Sequence, residues 1–428
     1  MTASDIHRAI DAVWRIEQAK LIAGLARIVR DVGLAEELAQ DSLVVALEKW
    51  PETGIPRNPG AWLMATARNR AIDRLRRRKV GERKYTEFLH EVETDQPDPV
   101  SAIETALDDD IGDDLLSLIF TACHPVLTTD ARLALTLRLI GGLTTGEIAR
   151  AFLATEPTIA QRIVRAKRTL AEAGVPFEVP RGAERAERLS SVLEVIYLIF
   201  NEGYAATAGE DWMRPQLVEE ALRLGRILAE LAPQEPEVHG LVALMEVQAS
   251  RTRARVGPEG EPILLLDQNR ARWDRVLIGR GLAALARAEA MGAAPGPYQL
   301  QAAIAACHVR AATAEETDWA RIAALYGALA ALMPSPVVEL NRAVAVAMAE
   351  GPEAGLAIVD RLTGDTALAR YHLLPSVRAD LLAKLGRYEE ARSEAARAVA
   401  LTQNEREKAL LTERAEAWAR AAAASQQG

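Results

Sequence analysis

One stretch limits what this chain can fold into more than any other: Ala61-Trp-Leu-Met-Ala-Thr-Ala-Arg-Asn-Arg-Ala-Ile-Asp-Arg-Leu-Arg-Arg-Arg-Lys79. Leu63, Ala67, Ala71 and Leu75 recur every fourth residue, with Met64 and Ile72 beside them, so one face of a helix is apolar. Arg68, Arg70, Arg74, Arg76, Arg77, Arg78 and Lys79 take the other faces, opposed only by Asp73. A helix with one buried stripe and dense guanidinium elsewhere suits a polyanion, because the forked donors pair with phosphates and release condensed counterions. Trp62 can stack on an unpaired base and Asn69 can read a base edge, so the stretch carries more than charge. The bland reading is a solvated amphipathic helix with an incidental basic face.

Net charge enters here, because at -9 over 428 residues the protein has no uniformly basic coat. Contact with nucleic acid must come from local patches. The length suits two to four domains, and 49% hydrophobic with 26% charged residues is ordinary for a globular protein. Cys123 and Cys307 exclude a disulfide framework or an all-cysteine zinc site. Each precedes a histidine, His124 and His308, and packed thiols beside hydrogen-bonded imidazoles are the expectation over a shared metal. No metal and no cofactor are expected. The chain lacks a signal-type apolar segment and an apolar run of about 18 residues, so a cytoplasmic location is expected.

In chain order, residues 5–30 form a helix with Ile10, Val13, Trp14, Leu21, Leu25 and Ile28 inside, broken at Gly33. A second helix covers Leu34 to Trp50 and ends at Pro51. Leu38, Ser42, Val45 and Trp50 face inward, and Glu36, Glu37, Gln40, Asp41 and Glu48 remain outside. That acidic face serves either solubility or docking to a partner helix. From Thr86 to Ala131 there is neither Lys nor Arg, and Pro97 and Pro99 interrupt a run of acids that reads as a solvated linker. Order resumes with a helix from Ala131 to Ile140, ended by Gly141 and Gly142. A short helix over Thr144–Phe152 follows, then a longer one capped by Thr155 with Pro157 in its first turn. Ile159, Ile163, Ala166 and Leu170 make the buried side of this last helix. Gln161, Arg162, Arg165 and Arg168 make the exposed side, a helix-turn-helix pattern whose second helix enters a major groove.

The remaining half is helical and shows no paired carboxylates, nucleophile–base set, phosphate loop or metal spacing, so no enzyme is expected. Asn201-Glu-Gly-Tyr204 and Asp267-Gln-Asn-Arg-Ala-Arg-Trp273 are polar clusters with aromatics that cap neighbouring elements; Glu202 and Asp267 as an acid–base pair is a remote alternative. Val256 to Ile263 reads as a hairpin-like turn. Asn341–Gly355 is echoed by Arg378–Ala391 at an offset of about 35 or 36 residues, and Leu385-Gly-Arg-Tyr-Glu-Glu-Ala391 with Ala395 and Ala398 fits a tetratricopeptide-like pattern of small residues where helices cross.

Taken together, the first 175 residues resemble the extracytoplasmic-function sigma factors of bacterial RNA polymerase. Ala35–Leu43 is similar to the second-region helix that docks on the clamp coiled coil of the polymerase, Ala61–Arg78 to the segment that opens and reads the −10 element, and 128–171 to the fourth region that reads the −35 element. Tyr197–Tyr204, Asp267–Asp274 and Gly296–Ala303 resemble the extension of the subgroup that carries a long tetratricopeptide-like helical domain. Leu153 stands where the family's turn usually has Gly, and Pro157 replaces another common Gly. A left-handed Leu is costly, so the turn takes another geometry and the −35 contacts stay open.

The resemblance implies an all-α fold: two small helical sigma domains, the second with a helix-turn-helix, joined by an acidic linker and followed by a large tetratricopeptide-like helical domain. The expected boundaries are 1–85, 86–113, 114–178, 179–300 and 301–428. It implies polymerase contacts at Glu37, Gln40, Asp41 and Leu43, with the clamp coiled coil and the flap of core RNA polymerase as partners. Promoter DNA would be held at the −10 element by Trp62, Arg68, Asn69, Asp73, Arg74, Arg76, Arg77 and Arg78, and at the −35 element by Thr155, Thr158, Gln161, Arg162, Arg165 and Arg168. The extension is the candidate regulator, either restraining the sigma domains until a protein or ligand binds it or being needed for activity. The rival reading is a helix-turn-helix regulator with a tetratricopeptide-like sensor that never engages core polymerase.

Overall fold

The computed structural model describes residues 3–86, 111–152, 154–205, 213–258, 261–402 and 405–425. The expected acidic linker and the turn residue Leu153 lie largely outside them. The chain divides into two compact units, Met1–Val195 and Ile196–Gly428.

The first unit begins with a three-helix bundle of α1 (Ala3–Val29), α2 (Val32–Thr53) and α3 (Pro59–Thr86). Ile10, Ile22, Leu25, Leu38, Trp50 and Leu63 are almost fully buried and form its centre. Two helix ends differ from expectation. The first break falls at Arg30, held at φ 53, and Asp31, whose Oδ1 accepts from Leu34 N at 3.0 Å, so Gly33 lies inside the first turn of α2. An aspartate cap satisfies an orphan N–H that glycine cannot, and this outweighs the left-handed strain at Arg30. Pro51 does not end α2. It forgoes one backbone bond, and the helix continues to Thr53 before Gly54, at φ 79, donates its N–H to Trp50 O at 2.9 Å.

Four helices follow: α4 (Ile111–Ala122), α5 (Thr129–Leu139), α6 (Thr145–Ala151) and α7 (Glu156–Glu172). Leu118, Phe120, Leu135, Leu137 and Leu139 bury one face of this bundle. Thr144 caps α6 reciprocally with Glu147: its Oγ1 accepts from Glu147 N at 3.2 Å, and its N–H donates to Glu147 Oε2 at 2.7 Å. Gly142, at φ 70, turns the chain after α5 as expected. Helix α8 (Gly182–Tyr204) begins in this unit, where Arg188 reaches the Phe120 carbonyl at 3.2 Å and Ser191 reaches the Cys123 carbonyl at 2.6 Å.

The second unit continues through α9 (Pro215–Leu231), α10 (Pro236–Ala249), α11 (Arg275–Ala290), α12 (Pro297–Arg310), α13 (Trp319–Leu332), α14 (Pro336–Glu350), α15 (Pro352–Leu362), α16 (Leu373–Lys384), α17 (Tyr388–Leu401) and α18 (Glu405–Ser425). The repeat seen in the sequence is the hairpin α14–α15 followed by α16–α17, sharing a core of Leu340, Ala343, Leu356, Val359, Leu382 and Ala391. Ala391, Ala395 and Ala398 are fully buried, so the small residues lie where the helices cross. Val256 and Pro262 form one antiparallel bridge at the anticipated hairpin tip. No described helix is long and apolar enough to cross a membrane.

Candidate functional site

The basic helix starts from a cap. Asn58 Oδ1 accepts from Ala61 N at 3.1 Å, and Pro59 occupies the first turn, where its missing N–H costs nothing. Leu63, Ala67 and Ala71 then face the core at no more than 1% exposure, which turns Asn69, Arg70, Asp73 and Arg74 outward. Helix α1 comes so close that a Cβ on Gly24 would stand 2.7 Å from Met64 Cε. Trp62 is half-buried, held edge-on against the buried Trp50 with ring centroids 5.2 Å apart. Its orientation is thereby set while part of the ring stays in solvent. Arg68 is half-buried with its Nε unpartnered. The side chains of Arg76, Arg77 and Arg78 lie outside the described residues.

Helix α2 carries its acidic residues on two sides. Glu37 and Asp41 face α3, where Arg74 pairs with Glu37 at 3.0 Å and Arg70 with Asp41 at 3.1 Å. All four side chains are 42–57% exposed, so each pair is worth less than about 1 kcal/mol and exchanges readily with another partner. Leu43 is half-buried on the same helix. Glu36 corrects the sequence reading: it is not outside but 3% exposed. Its Oε1 accepts from Gln40 Nε2 at 2.7 Å and from Arg138 Nε at 2.8 Å, and Lys167 Nζ pairs with its other oxygen. Arg138 and Lys167 lie on α5 and α7, more than a hundred positions further along, a distance that no local periodicity reports. These three charged groups were missed as a set.

In the helix-turn-helix, Thr155 Oγ1 accepts from Thr158 N at 3.3 Å and lies 2.7 Å from Thr158 Oγ1, so both expected −35 threonines help build the N-terminus of α7. Ile159, Ile163, Ala166 and Leu170 are buried, as the periodicity required. Of the outward residues, Arg162 pairs with Asp130 at 2.9 Å and Arg168 with Glu172 at 2.7 Å, while Gln161 and Arg165 are exposed. Arg165 has no ion-pair partner among the described residues.

Cys123, Cys307 and His308 have the packing chemistry of interior groups, while His124 is half-buried and its Nδ1 accepts from Val126 N at 3.1 Å. Cys123 is 1% exposed, lies 3.3 Å from Thr136 Oγ1, and burial pushes its thiol up to about 11. His308 departs from the expected hydrogen-bonded imidazole. Its Nδ1 is unpartnered, its ring meets Trp319 edge-on, and burial beside Arg251 and Arg270 pushes it down to about 4. No group of three or more metal-ligating side chains occurs among the described residues. The polar clusters of the second unit tie loops together. Arg270 Nη1 donates to the carbonyls of His308 at 2.5 Å and Ala311 at 2.7 Å, Arg255 lies 3.6 Å over the Tyr204 ring, and Arg214 engages Glu202.

A bundle presenting an arginine-rich helix, followed by a helix-turn-helix bundle, defines a helical DNA-binding transcription protein. Residues 15–80 match Sigma-70 region 2, residues 117–170 match Sigma-70 region 4, and residues 188–289 match a family of unknown function, DUF6596. The chain is 45% identical over 403 residues to an uncharacterized protein of Rhizobium meliloti (strain 1021), covering 94% of each. It is 30% identical over 148 residues to the ECF RNA polymerase sigma factor SigK of Mycobacterium tuberculosis (strain ATCC 25618 / H37Rv), covering 34% of this chain and 74% of that one. The SigK of Mycobacterium ulcerans (strain Agy99) is 29% identical over 150 residues, covering 34% and 75%. No solved structure matches the chain. The chain belongs to the extracytoplasmic-function RNA polymerase sigma factors, in a form that carries a helical C-terminal extension.

Proposed function

We propose that this sigma factor binds core RNA polymerase through the exposed side of α2 and directs initiation at promoters whose −10 and −35 elements are met by α3 and α7. Residues 1–85 would carry the polymerase and −10 contacts and 114–178 the −35 contact, with the extension as regulator. The observation that carries this reading is the pairing of Glu37 and Asp41 with Arg74 and Arg70 across two exposed helices. Weak, solvent-accessible pairs let the carboxylates turn to a polymerase surface while the freed guanidinium groups turn to phosphate. Trp62 and Asn69 then stand beside a basic track where an unstacked base costs a few kcal/mol to extrude and regains about 1–3 kcal/mol on stacking. In α7, Gln161 and Arg165 reach the groove, with Arg162 and Arg168 released from Asp130 and Glu172 or bridging to phosphate. Bond making stays with the polymerase.

The test measures binding of the full chain to purified core enzyme, with permanganate reactivity at the −10 element of a bound promoter. Core-dependent promoter opening supports the assignment. Tight promoter binding without core, and no opening with it, would favour a helix-turn-helix regulator acting alone.

A further inference from the structure

The loop that joins α10 to α11, residues 250–274, has no part in the contacts just described, yet it is densely cationic. Arg251, Arg253, Arg255, Arg270 and Arg272 all fall in it. Its course is fixed by backbone bonds: Asp274 N donates to Ser250 O at 2.8 Å, Ile263 N donates to Arg255 O at 2.8 Å, and Val256 bridges to Pro262. Arg253 and Arg272 are exposed and, with Val256, Ala271, Trp273 and Asp274, line a cavity of about 570 Å³. That volume lies in the range of small-molecule sites.

Three of the five arginines serve the fold. Arg255 donates to the Tyr204 carbonyl and covers its ring, Arg270 ties down the His308 and Ala311 carbonyls, and Arg251 lies 5.9 Å from the Tyr204 ring centroid. Burial, reinforced by repulsion from Arg251, holds Arg255 and Arg270 below the ordinary guanidinium range. Arg253 and Arg272 do nothing comparable, and neither has an ion-pair or hydrogen-bond partner among the described residues. Elsewhere in this unit arginines stand against carboxylates, as Arg226 does at Glu246, Arg378 at Glu394 and Arg414 at Asp380. The one acid on the cavity wall, Asp274, is committed to the N-terminus of α11, its Oδ1 accepting from Val276 N at 2.9 Å and from Leu277 N at 3.1 Å. Trp273, 3% exposed on the same wall, has no acceptor for its indole N–H, a shielded unmet donor of a kind rare in folded proteins.

We propose that this loop binds a small organic anion: Arg253 and Arg272 take its carboxylate or phosphate group, and its apolar body lies over Val256 and Ala271. A wall whose uncommitted charges are all positive focuses its field into the cavity. Guanidinium forks match the paired oxygens of either group. A bare inorganic ion would leave most of a cavity this size unfilled, so the ligand has a body. The site belongs to the second unit alone and does not depend on the polymerase reading.

The test titrates the full-length protein, without polymerase, with phenyl phosphate and with benzoate, following each probe by saturation-transfer NMR. At least one should bind with a Kd of roughly 1 mM or below, the order open to a fragment of that size. The tighter of the two distinguishes a phosphate from a carboxylate ligand. Inorganic phosphate should displace the bound probe only at about tenfold higher concentration, because it lacks the body. The Arg253→Gln/Arg272→Gln protein should bind the probe at least about tenfold more weakly with an unchanged melting curve, since both side chains are exposed. Arg70→Gln/Arg74→Gln, which removes cations from the basic helix α3, should bind it as the parent does. Absence of saturation by about 10 mM of either probe would overturn the proposal. So would binding that survives the loop variant, or that is lost in the α3 variant instead. Equal affinity for inorganic phosphate would reduce the loop to an ion site, and displacement by a hexaglutamate peptide at lower concentration than by benzoate would make it a docking point for acidic protein segments; either result contradicts the small-molecule assignment.

Discussion

The seam between the two bundles of the first unit and the seams inside the second unit differ in emphasis, although the second unit also buries a carboxylate, Glu246, between Arg226 and Arg280. In the first unit, Glu36, Arg138, Lys167, Arg27, Asp114 and Gln18 form a polar boundary beside the apolar packing. In the second, helices cross on small residues: a Cβ on Gly355 would stand 2.7 Å from the Ala343 carbonyl, and one on Gly281 3.1 Å from the Ala243 carbonyl. Apolar close packing has no alternative partner in water, so such a seam is permanent under native conditions. Charged pairs do have alternatives, in solvent, phosphate or a protein partner.

The sharpest way to break the contrast is to overpack the permanent seam. Gly355→Leu should cost about 3 kcal/mol and unfold the α14–α17 region at lower denaturant, read by circular dichroism, because backbone cannot move aside as a flexible side chain does. The next effect is functional. Arg165→Ala should weaken promoter binding by about 1–3 kcal/mol if the guanidinium reads a base, with loss of preference at one −35 position. An equal loss on every sequence makes it a phosphate contact. Asp41→Arg should lower core affinity about tenfold, roughly 1.4 kcal/mol, and leave the melting curve in place because its present pair with Arg70 is exposed; titration against labelled core measures it. The smallest effect is a comparison of the two thiols, one per unit. The folded-state pKa of Cys123 is raised to about 11 from 9.0, so its burial favours folding below pH 9 and that contribution is lost as pH climbs from 9 toward 11. At pH 8, alkylation of Cys123 should report only opening of the first unit and that of Cys307 only opening of the second, each by mass spectrometry.

Much of the architecture was legible because it is local. The stripe Leu63–Ala67–Ala71, the cap at Thr155, and the alanines of α17 announce their helices within a turn or two of sequence. What failed was also local in origin. Gly33 and Pro51 looked like helix breakers, but a side-chain cap at Asp31 and a glycine at position 54 placed the ends elsewhere. Glu36 was misread for a deeper reason. An acidic residue between Ala35 and Glu37 looks solvated, and only cations brought by α5 and α7 make its burial tolerable. Of the expected site, the sequence named the residues of α2, α3 and α7 but could not say that Arg70 and Arg74 are already paired with α2.

The proposed function has this chain make core polymerase start at promoters it otherwise ignores. Transcription from a library of native upstream fragments, with purified core and the full-length protein, tests it most directly. The expected starts require both components, lie downstream of a shared pair of −10 and −35 elements, and diminish with Asp41→Arg. Starts that are identical with and without the protein would contradict it.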